Sequence, residues 1–490
     1  MRTFPVRLVL LVAPFVTNPW LAAAQTPAPA AAQPNAPREV RRLTVDDAVR
    51  QALEHNLGVQ VARINPQIQD FSIAQYLAAW SPSLTTSMAN THNETPSNSF
   101  LSGATGASTT DQRLQSNVSL RQNLKWNGAS YSIGWDNARS TTNNVFSSFS
   151  PQVNSSLSLS ISQPLLRNFS IDNLRQQLEV GRKNRDISDL QLQSSILTTQ
   201  RAVRHAYWEL AYAYEALKVH QQSLDLARES LRNNRARVEI GTMAPIDIVE
   251  AESEVAQREE AVIVAEATIE RSEDTLRALI YDPAAPDFWT FRIEPSDRVP
   301  FEPVPVNVDA AVSNALEKRT DLRESRKTIE ANDVSIKYFK NQTLPEVNAQ
   351  FDYGLSGLGG VQSIRGEGFP GPIIGTTQRS YGSVLADVFG NSFPKWTLTF
   401  NVSYPLGDSQ EETSLARARL QNSQSQTQLK NQQLQITTQV RDGARSLTTN
   451  QRRVGSPAAA RALAQRRLEA EQKKFAAGQS TSFFVFQAQR

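Results

Sequence analysis

The sequence predicts a mixed α and β membrane protein. A transmembrane β-barrel section is continued by long α-helical coiled-coil rods, and the pattern occurs twice in one chain. Three observations carry this expectation. Ile196, Val203, Leu210, Leu217, Leu224, Leu231 and Val238 follow one another at intervals of seven, the repeat of a seam that supercoils left-handedly against a neighbour. Stretches of two-residue alternation set an apolar face against a Ser/Thr/Asn face and end at Pro164-Leu165 and Pro405-Leu406, as strands of a membrane barrel do. The opening helical pattern returns 263 residues later.

The rod comes first because it is longest. From Asp172 to Ile240 the chain gives roughly 100 Å of helix at 1.5 Å per residue, far beyond the dozen residues usual in a compact domain. Ala206, Ala213 and Ala227 beside the seam are small enough to let two backbones approach. The break Gly241-Thr-Met-Ala-Pro245 then turns the chain into a second helix that ends near Tyr281.

Residues 1–24 read as a secretory signal: Arg2 and Arg7, the apolar run Leu8–Val16, and the small-residue cleavage site Leu21-Ala-Ala-Ala24. Residues 25–41, rich in Pro and Ala, read as a disordered lead-in. No later stretch approaches the 18 apolar residues of a membrane helix. With no Cys in 490 residues, disulfides and thiolate metal sites are excluded. The net charge is +3, of which Arg2 and Arg7 supply two, and no basic block suggests nucleic acid.

Repeat 1 spans 42–300: a helix, strands within 83–163, and the helical hairpin 172–281. Repeat 2 spans 301–490: a helix, strands within 346–404, the long helix 409–477, and a final helix cut short. Val45, Asp46, Ala48, Val49, Ala52, Leu53, Glu54 and Arg63 become Val308, Asp309, Ala311, Val312, Ala315, Leu316, Glu317 and Arg326, and Pro82 becomes Pro345. With an offset of 237, Val203, Leu210, Leu231 and Val238 become Val440, Leu447, Leu468 and Phe475, and Gly241 becomes Gly478. Pro457 predicts a kink in the second rod. The first rod continues about 30 residues past Ala251, whereas the chain stops two residues after Ala488, which predicts an incomplete sequence or a truncated gene product. Copy one adds a hairpin, 114–138, about Asn127-Gly128. Copy two carries Gly354–Phe393, expected to be a Gly-rich outer loop of about 40 residues. Trp126, Trp135 and Trp396 lie near strand ends, where an aromatic girdle would sit.

No enzyme chemistry is expected. His55, His92, His205 and His220 are scattered, and no nucleophile motif or metal-ligand spacing surrounds them. Gly357-Leu-Gly-Gly360 lacks the strand-to-helix context of a phosphate loop. No cofactor or metal is expected.

At this point the sequence resembles the TolC-like outer membrane factor (outer membrane efflux protein) family over Leu43–Arg490. The carriers are Leu43-Thr-Val-Asp-Asp-Ala-Val-Arg-Gln-Ala-Leu-Glu54, Pro-Ser-Leu84, Ser162-Gln-Pro-Leu165 and Val238-Glu-Ile-Gly-Thr-Met-Ala-Pro-Ile-Asp-Ile-Val-Glu-Ala251. The resemblance implies a homotrimer in the outer membrane of a Gram-negative-type bacterium. About four strands per protomer would build a twelve-stranded barrel, and the helices would form a hollow periplasmic tunnel. It implies a passive conduit of a tripartite export system for drugs or other small toxic compounds, with a periplasmic adaptor (membrane fusion) protein and an inner-membrane transporter of RND or ABC type as partners. Carried over, the adaptor-contact tip is Ile240, Gly241, Thr242, Met243 and Ala244, with Gly478, Gln479 and Ser480 in copy two. The aperture candidates are Asp247 and Glu250, or, if the constriction is apolar, Phe484 with Gln487. Type I protein secretion is the alternative export role. A structural coiled-coil envelope tether is the alternative of another class.

Overall fold

The computed structural model describes residues 39–104, 106–297, 305–407 and 409–489. The signal peptide expected over 1–24, and the lead-in up to residue 38, lie outside them. Residues 40 and 41 of that lead-in are not disordered: they begin strand β1 (Val40–Leu43), which pairs in parallel with β6 (Arg292–Pro295). A four-residue strand made by a partner 252 positions away leaves no local alternation to read.

Helices α1 (Val45–His55) and α2 (Leu57–Ala78) follow. Thr44 caps α1, its hydroxyl accepting from the Asp47 N–H, and Asp46 and Asp47 sit in the first turn, against the positive end of the helix dipole. Next come strands β2 (Ser83–Pro96), β3 (Ser108–Asn123), β4 (Ser130–Thr142) and β5 (Phe149–Pro164). A rod follows, α3 (Asn173–Glu239), and α4 (Ile246–Ile280) returns along it. Copy two repeats the order with α5 (Val308–Lys318), α6 (Thr320–Gln342), β7 (Glu346–Arg365), β8 (Ile373–Arg379), α7 (Tyr381–Phe389), β9 (Pro394–Ser403), α8 (Gln410–Ala476) and α9 (Ser482–Gln489).

The offsets seen in the sequence recur in the fold. The rods α3 and α8 are each 67 residues long. Arg63 donates to the Leu53 carbonyl at 2.8 Å, and Arg326 to the Leu316 carbonyl at 3.2 Å. In the α3 seam Val203, Leu210 and Leu224 are buried, and Ile196, Leu217, Leu231 and Val238 half-buried. The row Ala206, Ala213, Ala227 ends in Asn234, which is fully buried, with neither amide atom hydrogen-bonded among the described residues. A polar residue in a heptad seam costs stability and fixes register.

The β section departs from expectation. Seven strands form one sheet, not four, in the order β2-β3-β4-β5-β7-β8, with β9 also on β7. The hairpin expected over 114–138 is its centre, and Asn127 (φ 51°) and Gly128 (φ 73°) make the tight turn. The expected loop Gly354–Phe393 is structured. β7 runs on to Arg365, β8 pairs with its far end from Gly360, and β9 pairs with its near end, from Glu346 to Leu355. β8 and β9 are thus two parts of one descending strand, interrupted by α7. Glycines read as loop here because the sequence does not show what covers them. A Cβ on Gly357 would lie 2.3 Å from the Val384 carbonyl of α7, and one on Gly359 2.5 Å from a Val384 methyl.

Register aligns the apolar positions. Leu84, Leu120, Ile133, Leu159, Tyr353 and Trp396 form one row across all the strands at that level. Gln122, Tyr131, Ile161, Phe351 and Leu398 form another. The opposite face carries Ser83, Arg121, Ser132, Ser160, Asp352 and Thr397. α7 lies on the apolar face, above this band: Tyr381 donates to Asn137, and Tyr353 to Asn391, each at 2.8 Å.

Amides build the joint between sheet and helices. The buried Asn341 and Gln342, at the end of α6, bond the turn before α3. Asn341 accepts from the Asn168 N–H at 2.7 Å and donates to Ser170 at 3.1 Å. Gln342 donates to the Asn168 side chain and accepts from Arg167, each at 2.8 Å. Midway along the rods a hydrophobic core joins Leu43, Ala48, Ala52, Tyr207, Leu210, Leu276, Ile280, Phe291 and Ile293. There the Tyr207 hydroxyl lies 2.9 Å from the Leu43 carbonyl and accepts from the Asp297 N–H at 3.1 Å. Arg277 and Glu273 form a buried ion pair at 2.8 Å. Burial pushes the Glu273 carboxyl above its usual range, an effect offset in part by the Ile293 N–H and by Arg277.

Two outcomes follow. Asn341→Ala leaves the Asn168 N–H and the Ser170 hydroxyl without their partner, at a cost of about 1–3 kcal/mol. A thermal midpoint unchanged from wild type would contradict the role of the joint. Glu330 bridges α3 to α6 by accepting from Lys183 (2.7 Å) and Lys327 (3.1 Å), and those bonds hold its carboxyl below the ordinary 4.5. Its contribution is therefore fully present above pH 4.5 and is lost as pH falls through the lowered value. Glu330→Gln should flatten the acid limb of a stability–pH curve.

Candidate functional site

The far ends of the two rods present a matched pair of turns. α3 stops because Gly241 takes φ 75°, a left-handed conformation favoured by a residue without Cβ. The Gly241 N–H bonds the Val238 carbonyl at 2.9 Å and the Thr242 N–H the Arg237 carbonyl at 2.9 Å, the paired bonds of a Schellman cap. α8 stops in the same way: Gly478 has φ 76°, its N–H bonds Phe475 at 3.1 Å, and the Gln479 N–H bonds Lys474 at 2.8 Å.

The two turns lie side by side. Arg237 donates to the Phe475 carbonyl at 3.2 Å and stacks its guanidinium 4.5 Å above the Phe475 ring. Sequence reasoning did not single out this contact. Its signal is the basic residue four positions before each glycine, Arg237 and Lys474, suited to a helix C-terminus. Ser480 donates to Glu471 at 2.5 Å, and that bond, with Lys474, holds the Glu471 carboxyl below its usual range. Arg235–Glu252 (2.6 Å) and Arg228–Glu259 (2.7 Å) tie α3 to α4.

Of the tip candidates, Ile240, Gly241, Thr242, Ala244, Gly478 and Gln479 are exposed, and Met243 and Ser480 half-buried. The aperture candidates fall on two helices. Asp247, half-buried, and Glu250, exposed, lie one turn apart near the start of α4, while Phe484 and Gln487, both exposed, lie one turn apart on α9. Large apolar side chains stand in water beside them: Ile240 (73% exposed), Ile246 (63%), Phe483 (60%) and Val249 (58%). No group of carboxylates and histidines able to hold a metal occurs among the described residues.

A Cβ at Gly241 or Gly478 meets no atom within 4 Å, so substitution tests backbone conformation alone. Gly241→Ala and Gly478→Ala should each cost about 1–2 kcal/mol in local stability. Hydrogen exchange at Thr242 and Gln479 should quicken roughly tenfold or more, and unchanged exchange would contradict the cap assignment.

The family model described as outer membrane efflux protein matches residues 48–280 and 311–490. No curated protein matches the sequence. The fold is similar to that of the Campylobacter jejuni CmeC outer membrane channel, with a TM-score of 0.63 at 13% identity, covering 91% of this chain and 79% of that one. It is also similar to CusC (TM-score 0.62, 13% identity, 91% and 85% covered). For the outer membrane protein VceC of Vibrio cholerae the TM-score is 0.60 at 15% identity, with 91% and 89% covered. The chain belongs to the outer membrane efflux protein family, TolC-like outer-membrane channels with a long periplasmic helical extension.

Proposed function

We propose that three copies of this chain close their sheets into one membrane barrel and their rods into one hollow tunnel. The assembly is a passive conduit for drugs or other small toxic compounds in a tripartite export system. The observation that carries this reading is the sheet, with a polar face, an apolar band on the other face and, among the described residues, two open edges. Backbone groups at an open edge cannot stay unpaired in lipid. Copies of the same sheet satisfy them and place the apolar face towards lipid.

The glycine turns at the far end are the docking surface for a periplasmic adaptor coupled to an inner-membrane transporter of RND or ABC type. Their exposed apolar rim supports this. In a trimer, Asp247 and Glu250 bring six carboxylates near the axis, where they attract cations. Phe484 with Gln487 forms a second, uncharged ring at the corresponding place in copy two.

Deleting the gene should sensitise cells to several unrelated toxic compounds. A photo-crosslinker at Thr242 or Gln479 should capture a periplasmic adaptor, and one at Leu420 on the α8 rod should not. Loss of one secreted polypeptide with unchanged drug sensitivity would replace the efflux reading with type I secretion.

A further inference from the structure

We infer that the membrane wall of each copy is six strands wide, so that the threefold assembly closes an eighteen-stranded barrel. The inference rests on the three-copy reading above and departs from the twelve strands implied by family resemblance. Its observation is the place of the β3–β4 hairpin. It is no appendage beside the wall: β3 lies between β2 and β4, and β4 between β3 and β5, in unbroken antiparallel register from Asn123 to Asp111 and from Ser130 to Ser140. The apolar band passes through it by way of Val118, Leu120, Ile133 and Trp135, level with Leu157, Leu159 and Tyr353. β2, β3, β4, β5 and β7 are 14, 16, 13, 16 and 20 residues long, each beyond the roughly 9–11 that a tilted membrane strand needs. β8 and β9 count as one strand, because both lie on the same side of β7 and are separated by the α7 excursion.

The two edges suit each other. Strand direction alternates from β2 to β9, and with six strands the β9 of one copy meets the β2 of the next antiparallel. The devices that guard an edge from pairing, proline and charge, sit only at the strand ends, Pro394 and Lys395 opening β9 and Glu94 and Pro96 closing β2, and neither strand is bulged. Between those ends, from Ser83 to Asn93 and from Trp396 to Ser403, neither edge carries Pro, Asp, Glu, Lys or Arg. β2 is exposed at every residue and β9 at all but Thr399. Both alternate in phase, with Leu84, Thr86 and Met88 on the apolar face of one, and Trp396, Leu398 and Phe400 on that of the other. α7 lies against the apolar face, the lipid side of such a barrel, so it leaves the bore clear.

Barrel diameter grows roughly linearly with strand number, and barrels of 16–18 strands leave an aqueous channel. Eighteen strands in place of twelve widen the outer bore about 1.5-fold. The outer mouth then sets no tight limit on cargo girth, and size selection falls to the helical end.

The absence of native cysteine makes disulfide trapping unambiguous. In the full chain, Ser87→Cys on β2 is combined in turn with Thr397→Cys, Thr399→Cys and Asn401→Cys on β9, all on the polar face. A parallel series uses Ser132→Cys on β4. Oxidation in native outer membranes should give covalent trimers with at least one Ser87 pair and none with Ser132. Trimers with Ser132 pairs and none with Ser87 would overturn the proposal, leaving a four-strand wall of β4, β5, β7 and β9 and a twelve-stranded barrel. No covalent oligomer from any pair would overturn three-copy closure itself.

Discussion

Unpaired backbone at a sheet edge is the constraint on which this architecture turns. In water an edge N–H or C=O finds solvent; in a hydrocarbon core each orphan costs several kcal/mol. Among the described residues the sheet has two open edges and one apolar band, so a single copy cannot satisfy its backbone in a membrane. On the proposed three-copy reading, assembly is a condition of membrane insertion rather than a later refinement. On that same reading, the number of strands each copy brings sets the bore.

The rods meet the same demand by other means. Helices satisfy their own backbone, so their partners are chosen by side chains: the heptad seam, the small-residue row, and ion pairs such as Arg235–Glu252. The joint between sheet and rods is held by the side chains of Asn341 and Gln342 bonding a turn 171–175 residues away in the chain. Midway, Arg277 satisfies Glu273, Asp274 and the Phe291 carbonyl at once. A buried pair of this kind contributes little net stability, yet breaking it strands a charge. At the tip, glycine caps end both rods at the same level, and the Arg237–Phe475 contact holds the two turns together.

The rods and the duplication were legible in the sequence because their signals are local and periodic. Seven-residue spacing and the caps Thr44, Gly241 and Gly478 need no knowledge of partners. The sheet was only half legible. Ser108–Arg113 lies above the apolar band and carries Asp111, Gln112 and Arg113, so no alternation announced the upper half of β3. Gly354–Gly360 looked like loop because glycine was read as freedom, whereas Gly357 and Gly359 are there to admit Val384 of α7. At the candidate site the turns themselves were read correctly from glycine and proline. Arg237 was not, since its partner Phe475 belongs to the other copy of the repeat.

Single-particle electron microscopy of the full mature chain, extracted from outer membranes in detergent, tests the central claim most directly. The account predicts a threefold hollow cylinder, with a β-barrel at one end and helical walls extending about 100 Å from it. A solid rod, or a two-chain bundle without a lumen, would contradict the conduit and leave the duplicated rods to be explained as a tether.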